Sequence, residues 1–116
     1  MQVFDTRHLA GPADWSGPTF EGFGKAAVKL RWIKDAYRWH RNEGAEVFLV
    51  LDGAVEMHVR SRSHPAVVHR LSSGQMIFIE DGEEHIAYPQ GEARILVVER
   101  ADPVKPAQRS ELSNEN

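Results

Sequence analysis

From Lys25 onward the chain alternates apolar and polar positions in short runs. Val28, Leu30 and Trp32 are spaced by two with Lys29 and Arg31 between them, a period that predicts a strand. Glu46 to Leu51 ("EVFLVL") is nearly continuous in its apolar content, as in a buried strand. Asp52-Gly53 after it is a two-residue hairpin signal, because glycine adopts positive φ at no steric cost. Val55, Met57 and Val59 then alternate with Glu56, His58 and Arg60, which predicts a strand with one wet face. Further strands are predicted over Val67–Leu71, Met76–Ile79, His85–Tyr88 and Ala93–Glu99. The turns between them are "SRSHPA", Ser73-Gly74 and "EDGEE", the last read as a solvated acidic turn.

No window of about 11 residues carries a helical stripe. Short strands separated by turn signals predict an all-β jelly-roll sandwich or barrel of roughly eight or more strands. The predicted barrel spans residues 25–100. Residues 1–24, rich in Gly and Pro, are expected to form an irregular N-terminal arm holding at most one short strand, and the polar tail 101–116 is expected to be flexible.

Composition narrows the function classes. A chain of 116 residues with 41% apolar content is one domain with a real core. The formal charge of −3 gives no footprint for nucleic acid or an anionic membrane. No segment reaches the roughly 18 consecutive apolar residues of a membrane helix. The N-terminus shows no signal pattern, and with no cysteine in the chain a cytoplasmic location is the expectation. Absence of cysteine also removes disulfides, thiolate metal sites and thiol nucleophiles.

The candidate chemistry lies just ahead of the apolar run. His40, Asn42 and Glu46 share parity, so an extended backbone projects them into one space. His85 follows the acidic turn at the start of another strand. Two imidazoles and a carboxylate with open positions are the donor set of a non-haem divalent metal site of Fe, Mn, Ni or Zn. His40, Glu46 and His85 also suit a satisfied hydrogen-bonded network without metal. A carboxylate at Glu46, entering a buried strand, needs a partner in either case.

The motifs resemble those of a single-domain cupin. The family's first motif, Gly, five residues, His-x-His, three or four residues, Glu, six residues, Gly, is matched by Lys34, His40-x-Asn42, Glu46 and Gly53. Its second, Gly, five residues, Pro-x-Gly, two residues, His, three residues, Asn, is matched by Gly74, Glu80-x-Gly82, His85 and Pro89. Asn42 stands in place of the second ligand His; Lys34, Glu80 and Pro89 depart at turn positions. The resemblance implies a cupin jelly-roll barrel, metal ligands at His40, Glu46 and His85 with Asn42 as a weaker oxygen donor, and a homodimer. It implies a metal-dependent isomerase or dioxygenase acting on a small oxygenated metabolite, with Glu46 as ligand or general base. The rival reading is a metal-free module that binds or senses a small molecule; a structural accessory subunit is a third. Trp32, Phe48, His69 and Phe78 are the candidate pocket wall, drawn from the same residues that pack the barrel. His58 is expected to face solvent or a partner subunit.

Overall fold

The computed structural model describes residues 1–101 and the backbone of 108–109. The expectation for the tail falls, beyond Ala101, outside the described residues except for that two-residue segment. Strands β1 (Thr19–Phe23), β2 (Ala26–Ile33), β3 (His40–Arg41), β4 (Glu46–Asp52) and β5 (Ala54–Ser61) are followed by β6 (His64–Ser72), β7 (Met76–Ile79), β8 (Glu84–Pro89), β9 (Ala93–Arg100) and β10 (Gln108–Arg109). A three-residue 3-10 turn, Thr6–His8, is the helical content among the described residues. The first sheet has the order β1-β2-β9-β4-β7, and the second β10-β3-β8-β5-β6. Each pairing is antiparallel. This is the all-β jelly roll that the alternation predicts.

The core lies between the sheets. Phe48 and Val50 from β4, Val55, Met57 and Val59 from β5, and Ala93, Ile95 and Val97 from β9 alternate inward as the period of two requires. The inward face of β2 is set by its partners: Lys29 pairs with Val97, Arg31 with Ile95 and Ile33 with Ala93. Lys29 and Arg31 therefore point into the barrel, and the apolar set Val28, Leu30 and Trp32 covers the outer face.

Two turns depart from their sequence reading. The predicted "SRSHPA" turn is shorter, because β5 runs to Ser61 and β6 begins at His64. The acidic turn is not wholly solvated. Glu84 is 2% exposed and meets Arg60, with Nε 3.2 Å from its carboxylate, while the Arg60 guanidinium stacks 4.0 Å over the Trp39 ring. Burial of a carboxylate is tolerable here because a cation comes with it.

Candidate functional site

Two inward rows of side chains meet at one end of the barrel. On the second sheet, register pairs His40 with His85 and His85 with Val59. On the first, Ala27 pairs with Glu99, and Val47 pairs with Val98, so Glu46 and Glu99 stand opposite each other one step further along that ladder. The loop joining β3 to β4 carries Asn42. It turns at Gly44, with φ of 86°, and the Gly44 N–H donates to the Asp81 carboxylate at 3.1 Å. That bond ties the loop to the turn before His85.

The polar groups form one connected chain. Asn42 Nδ2 donates to Glu46 Oε1 at 2.5 Å and to Glu99 Oε1 at 2.8 Å. Glu99 Oε2 meets Lys29 Nζ at 2.5 Å. His85 Nε2 lies 3.2 Å from Glu46 Oε1, and the His40 ring is 4.3 Å from that of His85. The carbonyl of Arg38 lies 2.9 Å from His40 Nδ1, which fixes the proton on that nitrogen and turns Nε2 into a free acceptor.

The site's electrostatics follow from this geometry. Burial alone would push the Glu46 carboxyl up, but the hydrogen bond from His85, the nearby His85 and His40 rings and the Asn42 amide hold it below the ordinary carboxylate range. Glu99 is pushed the other way, by burial and by the neighbouring Glu46 charge, with Lys29 opposing. His40 is depressed to about 4 by burial and by the adjacent His85. The centre thus contains an ionised Glu46 and a neutral His40.

The four residues expected to ligate a metal are brought together, but they do not fit a resident ion as they stand. Asn42 turns its N–H groups, not its oxygen, toward Glu46; an amide oxygen between two carboxylates would be repelled, so the network fixes the orientation. Contact between an imidazole nitrogen and a carboxylate oxygen puts the His85 proton on Nε2. Its Nδ1 is buried with no partner. A metal on Nε2 would move the proton to Nδ1 and create a buried donor without an acceptor, at a cost of about 1–3 kcal/mol. Among the described residues no three His, Asp or Glu side chains are gathered so as to hold a metal ion.

The expected pocket residues divide. His69 and Phe78 line a cleft of about 300 Å³ between β6 and β7, with Glu80 and Glu83 at its rim. Val59, the cross-strand partner of His85, forms part of its wall, so the cleft opens one strand over from that imidazole. Glu83 accepts from His64 Nε2 at 2.9 Å. Phe48 is core, on the same face as Glu46 and two residues along. Trp32 lies on the outer face, its indole N–H donating to Glu92 at 2.9 Å, and is not a pocket residue. His58 is on the outer face of the second sheet, its ring 4.7 Å from that of Tyr88.

Sequence reasoning missed Glu99 and Lys29. Glu99 shares parity with Ile95 and Val97, so a carboxylate closing an inward alternation was its available signal. Lys29 offered none, because its strand is apolar on the opposite face.

The profile of the cupin domain family matches residues 34–99, more than half of the chain. The chain belongs to the cupin family. Solved cupin-like structures agree in fold. A cupin-2 domain-containing protein from Shewanella frigidimarina is 24% identical with a TM-score of 0.64, covering 78% of this chain and 84% of its own. The protein SPY1581 from Streptococcus pyogenes, described as of unknown function, is 16% identical with a TM-score of 0.69, covering 96% of this chain and 90% of its own. An oxalate decarboxylase is 14% identical with a TM-score of 0.64, covering 73% of this chain and 24% of its own. No curated protein matches the chain. At these identities the likeness is one of fold. Within this cupin, Asn42 stands where the first motif has its second histidine.

Proposed function

We propose that this cupin binds a small oxygenated molecule through a hydrogen-bonding centre that works without a resident metal. The observation that carries the reading is the forked amide of Asn42, which spans Glu46 and Glu99 where the family motif places a ligand histidine. Glu46, held ionised, and the free Nε2 of His40 are acceptors suited to hydroxyl groups of a bound molecule. With two carboxylates at the centre, neutral hydroxylated compounds are favoured over anions. The protein acts as a binding or sensing module, a homodimer in the cytoplasm.

A second reading, a metal-dependent isomerase or dioxygenase with Glu46 as ligand or base, draws on one feature. His40, Glu46 and His85 converge, and the Arg38 carbonyl leaves His40 Nε2 open in the manner of a ligating imidazole. A divalent ion would then supply Lewis-acid polarisation, and Asn42 and His85 would have to release Glu46 first.

Ligand-observed NMR with a panel of small hydroxylated metabolites separates the two. The first reading expects binding by the chelator-treated protein that is lost in Glu46→Gln. Binding that appears only after a divalent metal is added would favour the second.

A further inference from the structure

We propose that the cleft between β6 and β7 is a binding site of its own, taking a small molecule with a short hydrocarbon body and a protonated primary amine. It lies outside the hydrogen-bonding centre and does not depend on the function proposed for that centre. β6 and β7 each stand at one edge of their sheets. Val67 and His69 pair with Val59 and Met57, and Ile77 pairs with Phe48, so all three carry inward parity. Their partners are core. In a closed barrel they would be core too, yet Val67 is 42% exposed and His69 is exposed as well. The two sheets part between these edges, and inward-facing apolar surface meets solvent there.

The gap is about 300 Å³, at the small end of the roughly 300–1,000 Å³ of ligand pockets. Its apolar walls are Val59, Val67, Ile77 and Phe78. None of His40, Asn42, Glu46, His85 and Glu99 is a wall residue. A polar strap frames the mouth. His64 on β6 donates through Nε2 to Glu83 at 2.9 Å, and the other oxygen of that carboxylate accepts from the Glu80 N–H at 2.8 Å. These bonds tie the free edge of β6 to the turn that follows β7.

Charge names the head group. Both ring nitrogens of His64 face acceptors, the Pro65 carbonyl at 2.9 Å and Glu83, which favours an imidazolium already matched to Glu83. Glu80, at the same rim, is exposed and has no ion-pair partner among the described residues. Asp81, next in the turn, adds a further negative charge on that side. An anionic head would meet these carboxylates as like charges. An ammonium brings three donors and the complementary sign. The apolar walls supply affinity through burial of the hydrocarbon body, and Glu80 selects the sign of the head.

Ligand-observed NMR on the chelator-treated full chain at neutral pH tests this, with hexylammonium and hexanoate as probes. Hexylammonium is expected to bind at least about 10-fold more tightly than hexanoate, because the same carboxylate attracts one head and repels the other. Glu80→Gln should cut that preference to about 3-fold or less, and Val67→Lys, which brings the chain's own cation to the mouth, should weaken hexylammonium binding at least about 10-fold. An unchanged far-ultraviolet β-spectrum is the control for both. Glu46→Gln should leave hexylammonium binding unchanged, and His40→Gln serves the same purpose if that variant fails to fold. Absence of saturable hexylammonium binding, equal binding of hexanoate, a preference untouched by Glu80→Gln, or binding lost in the folded centre variant would overturn the proposal.

Discussion

Glu46 and Glu99 face each other across the β4–β9 ladder, and the side-chain amide of Asn42 donates to both. Like charges directly opposite on neighbouring strands destabilise a sheet, so this pair persists only because other groups absorb the charge. Asn42 supplies two donors, Lys29 a cation on Glu99, and His85 a contact to Glu46. A histidine at position 42 would offer one nitrogen toward the centre and could not bridge the pair in this way. The asparagine therefore belongs with Glu99 and Lys29.

Asn42→Leu should remove both donors and leave two buried carboxylates facing each other. The expected loss is about 2–4 kcal/mol of unfolding free energy, the range for buried charged groups that lose hydrogen-bond partners. Urea denaturation at neutral pH reads it. Asn42→Leu unfolding at the wild-type midpoint would show that the fork is not a stabilising contact.

Acid should weaken the fold in two stages. His40 is neutral in the folded state with its pKa depressed from 6.5 to about 4, so the unfolded chain binds the extra proton between those values. Stability falls as pH drops through that window, by about 3 kcal/mol for this shift. Glu46, whose pKa is lowered, contributes stability above its ordinary 4.5 that is lost as pH falls below it. Glu99 works oppositely: its raised pKa gives stability at low pH that is lost as pH rises past 4.5. The isolating comparison is His40→Gln, which should flatten the decline between pH 6.5 and about 4. Parallel stability curves for the two proteins would contradict the assignment to His40.

Gly53 tests the β4–β5 hairpin. Its φ is 85°, and a Cβ there would lie 2.5 Å from the Glu92 carbonyl oxygen. Gly53→Ala combines backbone strain with a collision against main chain, and should cost about 1–3 kcal/mol. A thermal melt measures it; an unchanged melting temperature would mean the turn is free to adopt another conformation.

Much of the architecture was legible because a period of two is a direct record of the sheet face. Val55, Met57 and Val59 read inward and are core. The same rule gave no direction for β2, where Val28, Leu30 and Trp32 cover the outer face while Lys29 and Arg31 turn in. Alternation fixes that two faces differ, not which one meets the core. His40, Asn42, Glu46 and His85 were legible as a cluster through motif spacing. Glu99 was not, because its place depends on the β4–β9 register, a pairing between strands far apart in the chain. Trp32 is bulky enough for a pocket wall drawn from barrel-packing residues, but its outward parity removes it.

Metal content of the purified protein distinguishes a metal-free centre from one that holds a resident ion. The chain should be expressed without a His tag in medium supplied with trace metals and assayed by elemental mass spectrometry beside His85→Ala. Wild type should carry far less than stoichiometric Fe, Mn, Ni or Zn, with no difference in His85→Ala. Near-stoichiometric metal in wild type that disappears in His85→Ala would contradict a metal-free centre.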